Sequence, residues 1–194
     1  MSKNKNNKPI WGTRIKKNAS TLFKKVGSSL PVDKRLFKED IEGSIAHVEM
    51  LHKQKIINFR IKNKIIWGLK RIKNEIVKKK FNFDYDLEDI HMNIENRLFE
   101  LIGDDAGYVH TARSRNDQVI TDLKLWLKEA TKKMIILLDN TNSNILNLAQ
   151  KNIRTIMPGF THLKNAQPLS LGHYLLAYVE MFNRDKKKFK NNLE

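Results

Sequence analysis

The stretch of the sequence richest in chemically useful side chains is HTARSRNDQ, residues 110–118. It places Arg113 and Arg115 two positions apart, with Ser114 between them and Asn116 after them. A guanidinium group binds a carboxylate through two parallel hydrogen bonds, and hydroxyl and amide groups extend such a site without adding charge. A helix is predicted to begin here, and the free N–H groups of a helix N-terminus also favour an anion. Serine, asparagine and aspartate are equally common as plain helix caps, so a structural role is the alternative.

A second candidate is the pair Thr161 and His162, within MPGFTHLKNAQP. The pair lies between a Pro-Gly break and Gln167-Pro168, where we predict the next helix to begin. We therefore expect a short, constrained loop between two long helices. Histidine exchanges protons near neutral pH, and a loop held by a rigid scaffold is a suitable place for catalysis. A lone loop histidine is more often structural.

The elements that must position these residues are predicted to be helices. Apolar residues recur at spacings of three and four over residues 33–54, 56–80, 86–102 and 116–151, with a loop over 103–108. The last of these stretches contains no glycine or proline and is long enough for a helix bundle or coiled coil. The predicted fold class is therefore all-α. We divide the chain into a disordered basic arm (1–10), an N-terminal helical domain (11–109) and the start of a central bundle of long helices (110–194), which is incomplete.

Composition narrows the class of protein. The net charge is +16, but 28 of the 37 basic residues are lysines scattered along the chain with few aromatic residues among them, which does not favour nucleic-acid binding. There is no cysteine, so disulfides and thiolate metal sites are excluded, and no apolar run approaches the roughly 20 residues that span a bilayer. We predict a cytoplasmic protein without membrane, metal or cofactor binding. The positive charge would help to attract a dicarboxylate.

Five segments closely resemble the motifs of the argininosuccinate lyase family, within the fumarase/aspartase superfamily of helical lyases. They occur in the family's order, and the two most similar are HTARSRNDQVITDLKLWL (110–127) and MPGFTHLKNAQPLSLGHYLLAYVEM (157–181). The others are WGTR (11–14), DIEGSIAHVEML (40–51) and DLEDIHMNIENRL (86–98). The resemblance implies a fumarase/aspartase-like fold, with an N-terminal helical domain before the central bundle. It also implies a homotetramer whose active sites are built from several subunits.

The resemblance implies an activity, namely the reversible elimination of fumarate from argininosuccinate to give arginine, in arginine biosynthesis. It implies His162 as the catalytic base, or as the partner that tunes another group. It further implies a set of substrate-binding residues: Ser29, which contacts substrate; Ser114, Arg115, Asn116 and Thr161, which hold carboxylates; and Asp33 and Asp89, which face the guanidinium end. His91, with Asp89, is a candidate for the wall of a polar pocket.

The family pattern is incomplete in this sequence. Family members are more than twice as long and carry a further serine-containing loop, which does not occur before Glu194. The resemblance therefore predicts a truncated chain that represents the N-terminal part of the lyase. Two alternatives stay open. One is an inactive relic or a helical interaction protein, and the other is a superfamily lyase that releases fumarate from a different substrate.

Overall fold

The computed structural model describes Leu22 and residues 26–193. The predicted arm at 1–10 and the WGTR segment lie outside these described residues. The chain divides into two compact units, Met1–Asp122 and Leu123–Glu194. Each unit is described by itself below.

The first unit is a set of packed helices. Their bounds are α1 (Leu30–Asp33), a 3-10 turn (Lys34–Leu36), α2 (Phe37–Lys53), α3 (Phe59–Val77), α4 (Ile90–Ile102), a 3-10 helix (Gly103–His110) and the start of α5 (Arg115–Lys151). The predicted helices at 33–54 and 56–80 are therefore found with shifted ends. The stretch predicted as a loop over 103–108 forms a 3-10 helix instead.

Side-chain caps fix where two of these helices begin. Asn58 accepts a hydrogen bond from the Ile61 backbone N–H at 2.9 Å, and Asp89 accepts one from the Met92 N–H at 2.6 Å. Each cap satisfies a backbone donor that has no partner within the helix. Because Asp89 caps α4, this helix begins at Ile90 and not at the predicted residue 86.

The apolar faces of these helices meet in one core. The buried side chains are Leu30, Ile41, Val48, Leu51, Ile57, Ile65, Leu69, Ile72, Ile90, Ile94, Leu98, Ile102, Ala106 and Val109. Burial of a leucine or isoleucine side chain contributes about 1.5–3 kcal/mol relative to exposure, so this cluster is the main source of stability in the first unit. The lysine-rich faces remain exposed, as the periodicity predicts.

The second unit contains the rest of α5 and a second long helix, α6 (Leu171–Asn191). Helix α5 has 37 residues, about 55 Å at 1.5 Å per residue. The side-chain amides of Asn142 and Asn183 hydrogen-bond at 2.9 Å, and this pair joins the two helices. The long helix predicted over residues 116–151 is present, and it begins at Arg115 and ends at Lys151.

A β-hairpin, which the sequence analysis does not predict, connects the two long helices. Strands β1 (Ile156–Thr161) and β2 (Lys164–Ser170) pair antiparallel. Gly159 allows the strands to approach, because a Cβ atom there would lie 2.4 Å from the backbone oxygen of Gln167. The prediction that a helix begins at Gln167-Pro168 is wrong: these residues lie in β2, and α6 begins at Leu171 after the cap Ser170.

The predicted all-α class is confirmed, with this small hairpin as the only sheet among the described residues. None of the described helices combines the length and the apolar character that crossing a membrane requires.

Candidate active site

The first part of the site is a junction between the start of α1 and the start of α4. The backbone N–H groups of Ser29 and Leu30 both donate to the Glu88 carbonyl oxygen, at 2.9 and 3.3 Å. The Ser29 hydroxyl donates to one oxygen of Asp33 at 2.5 Å, and the other oxygen of Asp33 accepts from the Ile90 N–H at 3.2 Å. Ser29 and Asp33 are therefore held in place by a neighbouring segment nearly 60 positions away.

Asp33 and Asp89 place two carboxyl groups close to each other at this junction. Partial burial raises the pKa of Asp33, the Ser29 hydrogen bond opposes that rise, and the charge of Asp89 adds to it. A cation placed between two such groups would relieve their repulsion. The pair therefore has the charge that a guanidinium or ammonium ligand requires.

Arg115 lies at the first residue of α5 and faces α4. Its Nη1 and Nη2 atoms donate to the two oxygens of Glu95 at 3.0 and 3.3 Å, and Nη1 also donates to the Gln118 side-chain oxygen at 2.9 Å. Its Nε atom lies 3.7 Å from a carboxylate oxygen of Asp89. The cationic Arg115 and the anionic Asp89 of the predicted site are thus neighbours. A ligand that carries both charges would need partners of both kinds.

Ser114 and Asn116 form the cap of α5. The Ser114 hydroxyl accepts a hydrogen bond from the Asn116 N–H at 3.3 Å, and the Ser114 carbonyl accepts one from the Gln118 N–H at 3.1 Å. Both side chains are exposed. They therefore fit the plain helix-cap interpretation and still present free polar atoms beside Arg115.

Thr161 and His162 belong to the hairpin of the second unit. Thr161 pairs with Lys164 across the turn, and His162 and Leu163 are the two turn residues, with φ values of +48° and +64°. Two consecutive positive φ angles are typical of the tight turns that match strand twist, although they are unfavourable for residues other than glycine. Both Thr161 and His162 are exposed, at the end of a short and rigid support.

A buried polar cluster lies within the first unit and brings together α2, α4 and α5. The His91 Nδ1 atom is 3.0 Å from Asp40 Oδ1 and 3.4 Å from Asp122 Oδ2. The Gln118 amide donates to Asp40 Oδ1 at 2.5 Å, and Arg113 Nη2 lies 3.8 Å from the same oxygen. The side chains of Asp40, His91 and Asp122 are at most 1% exposed.

The cluster sets the ionisation of its members. For Asp40, burial favours the neutral form, but the hydrogen bond and charge of His91, with Gln118 and Arg113, outweigh it and lower the pKa. For His91, burial is again outweighed, chiefly by Asp40, and the pKa is raised. Burial, and then the charge of Asp40, raise the pKa of Asp122 to about 7. The cluster therefore favours an ionised Asp40 beside a protonated His91.

Asp40, His91 and Asp122 are also the described residues that could hold a metal ion, with ligand atoms within 4.8 Å of one another. Their charges, however, already have partners in the protein. A protonated His91 and Arg113 already offset the charge of Asp40, and the pKa of Asp122 is raised to about 7, so an added divalent cation would leave an excess of buried positive charge. The donor set does not require an ion.

His91 is recognisable from the sequence as a candidate for a polar pocket, but Asp40, Gln118, Asp122 and Glu95 are not predicted from it. A signal for Asp40 exists: it precedes the core residue Ile41 and lies four positions before the buried Ser44, so an acid interrupts the apolar face of α2. Gln118 and Asp122 are likewise four apart on one face of α5. Polar residues on a face that must be buried are the pattern that could have identified the cluster.

Taken together, these features define a mainly helical protein with a cluster of charged side chains at the helix starts of one unit and an exposed Thr-His hairpin in the other. The sequence matches the family described as "Lyase" over residues 13–194. The chain belongs to this lyase family.

Two relatives show how specific the similarity is. The chain is 68% identical over 194 residues to the argininosuccinate lyase of Pelagibacter ubique (strain HTCC1062), covering 100% of this chain and 42% of that protein. It is 51% identical over 183 residues to the argininosuccinate lyase of Ehrlichia chaffeensis (strain ATCC CRL-10679 / Arkansas), covering 94% of this chain and 39% of the relative. The chain thus spans about two fifths of the length of the curated relatives it matches.

Solved structures share the fold. EDDS lyase in complex with formate aligns with a TM-score of 0.70 and 28% identity, covering 80% of this chain and 30% of that one. The beta-carboxy-cis,cis-muconate cycloisomerase of Acinetobacter calcoaceticus sp. ADP1 aligns with a TM-score of 0.67 and 21% identity, covering 82% and 38%. The fumarase/aspartase-like fold predicted from the sequence motifs is confirmed.

Proposed function

We propose that the protein containing this chain is an argininosuccinate lyase, which eliminates fumarate reversibly from argininosuccinate and leaves arginine. The observation that carries this proposal is the adjacency of Arg115 and Asp89, whose charged groups lie 3.7 Å apart at the meeting point of two lyase motifs. The substrate has carboxylates and a guanidinium group and therefore needs both kinds of partner. The 68% identity to a lyase of that name supports the choice of substrate.

The carboxylates of the substrate are assigned to Arg115, Ser114, Asn116 and Thr161. A guanidinium group has five N–H donors, and the contacts of Arg115 to Glu95 and Gln118 use three of them. Among the described residues, Nε–H and one Nη2–H make no hydrogen bond, although the Asp89 carboxylate lies 3.7 Å from Nε. Two N–H groups of a guanidinium can bind both oxygens of one carboxylate.

The guanidinium end of the substrate is assigned to Asp33 and Asp89, with Ser29 beside them. Burial is the main cause of the raised pKa of Asp33, and the charge of Asp89 adds to it. A guanidinium ligand would supply a cation and lower this pKa. Binding of the arginine end would then be strongest where both carboxyl groups are ionised.

The catalytic step is assigned to His162. A proton leaves the carbon beside a carboxylate, and its electron pair is delocalised into that carboxylate. The electron pair then forms the carbon–carbon double bond of fumarate. At the same time the carbon–nitrogen bond breaks, and the departing guanidino nitrogen takes the electron pair of that bond and is protonated. Histidine suits the removal of a weakly acidic proton near neutral pH, provided that the carboxylate is held tightly. His162 is either that base or the partner that tunes another group.

The remaining assignments follow the same proposal. The protein would act in arginine biosynthesis in the cytoplasm, as a homotetramer whose sites draw residues from several subunits, without metal, cofactor, nucleic acid or membrane. Its domain boundary would lie near His110, so that an N-terminal helical domain precedes the bundle.

The activity is tested on the longest protein encoded in frame with this sequence. Fumarate release is followed by ultraviolet absorbance, with argininosuccinate and with adenylosuccinate as substrates. Turnover of argininosuccinate alone supports the proposal. Turnover of adenylosuccinate alone identifies a different superfamily lyase, and no fumarate from either substrate identifies a relic or an interaction protein.

The role of His162 is tested by His162→Asn in that protein. Asparagine adopts positive φ readily, so the hairpin turn is retained while the acid–base group is lost. We expect kcat to fall by about 100-fold or more, the scale of general acid–base catalysis. His173→Asn is the matched control, because His173 is exposed and only its backbone N–H takes part in the α6 cap. Near-normal turnover of His162→Asn would remove this residue from the mechanism.

A further inference from the structure

Gln118 connects the buried cluster to the proposed carboxylate-binding arginine. Its side chain is almost fully buried, with 2% of the residue exposed. Its amide nitrogen donates to Asp40 at 2.5 Å, and its amide oxygen accepts from Arg115 Nη1 at 2.9 Å. One side chain thus contacts both the interior of the first unit and the site.

The direction of this amide is fixed by its two neighbours. An ionised Asp40 can only accept hydrogen bonds, and Arg115 can only donate them. A rotated amide would turn its oxygen toward the carboxylate and its NH2 group toward the guanidinium, which is unfavourable on both sides. Gln118 therefore has a single orientation and presents its oxygen to Arg115.

Asp40 is itself held by groups from other segments. His91 lies 3.0 Å from Asp40 Oδ1, and Arg113 Nη2 lies 3.8 Å from it. Arg113 is anchored in turn by a 3.0 Å hydrogen bond from Nη1 to the Ser44 hydroxyl. The acceptor on which Gln118 depends is therefore fixed by α2, α4 and the segment before α5.

The other support of Arg115 is closer to solvent. The side chains of Arg115 and Glu95 are 24% and 25% exposed, so water competes for their ion pair. The hydrogen bond that Arg115 donates to Gln118 has an acceptor residue only 2% exposed, so water competes with it less. The orientation of Arg115 should accordingly depend on Gln118 more than on Glu95.

We propose that Asp40 and Gln118 are positioning residues that orient Arg115 for the substrate carboxylate. The structural part of this inference concerns Arg115 alone, and its consequence for substrate rests on the lyase function proposed above. Neither residue touches the reacting atoms.

The consequence for substrate is tested with Gln118→Met, Arg115→Met and the double variant in the full-length protein. Methionine preserves the length of the side chain and removes both hydrogen bonds. We expect Gln118→Met to raise KM for argininosuccinate at least about tenfold, with a smaller change in kcat, since a hydrogen bond to a charged group is lost. In the Arg115→Met background the same change should alter KM by less than about threefold, because its target is gone. Equal effects in both backgrounds would overturn the proposal.

The matched control is Gln54→Met, the same substitution at an exposed position after α2. It should leave KM and kcat unchanged. Far-ultraviolet circular dichroism of every variant checks that the helices are retained.

A second variant, Gln118→Glu, tests the hydrogen bond to Asp40 separately from the one to Arg115. Gln118→Glu retains an acceptor for Arg115 but loses the donor to Asp40, which the introduced carboxyl regains only when it is protonated. The charged groups facing this position are Asp40 and Arg115. One or two contacts further away lie the charged or titratable groups His91, Arg113, Glu95, Asp89 and Asp122. We therefore expect KM of Gln118→Glu to approach the wild-type value as the pH falls. A pH profile of KM parallel to that of the wild type would contradict the positioning role.

A readout independent of activity separates this inference from the proposed function. The Arg115 Nε–H resonance, identified by its loss in Arg115→Met, reports how the guanidinium is held. It should shift or broaden in Gln118→Met and stay unchanged in Gln54→Met. An unchanged resonance in folded Gln118→Met overturns the inference even in an active enzyme. A wild type that forms no fumarate but shows the expected change refutes only the proposed function.

Discussion

At the residue scale, the most unusual group is the carboxyl of Asp122. Its side chain is fully buried, and His91 Nδ1 lies 3.4 Å from its Oδ2 atom. Burial and the neighbouring charge of Asp40 raise its pKa to about 7. Near neutral pH the folded protein therefore holds a proton that the unfolded chain releases.

This proton makes stability depend on pH. Because the folded-state pKa of Asp122 is above the unfolded value, its contribution is present at low pH and is lost as the pH rises from about 4 through about 7. We expect Asp122→Asn, which cannot ionise, to be more stable than wild type at pH 8, by at most about 4 kcal/mol. His91 titrates in the same direction, since its raised pKa also favours the charged form at low pH, and a residual slope should remain. Urea unfolding, repeated at intervals of about one pH unit between pH 5 and pH 8, measures both effects.

The matched control is Asp117→Asn, one turn earlier on α5 with an exposed side chain. Its unfolding free energy should follow the wild-type pH profile. A parallel profile for Asp122→Asn would mean that Asp122 is already ionised in the folded protein at low pH.

Single residues were predicted unequally well from the sequence. Arg115 and Asp89 are recognisable because their types and motifs are distinctive, and the structure brings them together. Asp122 gives no such signal by itself, because its environment is created by two segments that lie about 30 and 80 positions upstream. Burial of a polar group is a property of the packed unit and not of its local sequence.

At the element scale, the hairpin turn carries local strain. Leu163 has a φ of +64° and is 99% exposed, so no contact among the described residues compensates for its conformation. We expect Leu163→Gly to stabilise the hairpin by roughly 1 kcal/mol, because glycine adopts positive φ without a steric cost. Thermal unfolding monitored by hydrogen exchange of the hairpin amides would measure this gain.

Leu163→Ala serves as the control, since alanine retains the Cβ atom that causes the strain. It should show little of the gain. Equal stabilisation by both substitutions would attribute the effect to loss of the exposed leucine rather than to the backbone.

The helices were predicted well and the hairpin was not, for a physical reason. Helices α3 and α5 carry many turns of apolar periodicity, and each turn repeats the same signal. The strands β1 and β2 are six and seven residues long and mostly exposed, so they show no alternation of buried and solvent-facing side chains. Pro158, Gly159 and Pro168 also suggest an irregular loop, although they are compatible with a two-stranded edge.

At the scale of the whole molecule, the second unit exposes several large apolar side chains along α5. Ile136 and Leu137 are 59% and 58% exposed, and Leu146 and Leu148 are 44% and 49% exposed. Large apolar side chains that stay exposed in this way favour association. We expect sedimentation of the purified chain to give a mass above the 22.8 kDa of one copy.

Leu137→Glu should shift this chain toward the monomer, because it replaces an exposed apolar side chain with a charged one. Asn144→Glu is the control, since it adds the same charge at an exposed polar position of the same helix. A single species at the monomer mass for the unmodified chain would refute the association and weaken the proposed homotetramer.

The paired hydrogen bonds of two arginines limit which substitutions can be accepted at these positions during evolution. Arg97 and Arg115 each present two nitrogen atoms to the two oxygens of one glutamate, Glu75 and Glu95 respectively. Lysine has one terminal nitrogen and cannot reproduce this geometry. Replacement of arginine by lysine has little effect on a solvated surface. At Arg97 and Arg115 the same replacement would disrupt the pair of hydrogen bonds to the glutamate. In a chain with 28 lysines, these two arginines should be among the last to disappear from descendant sequences.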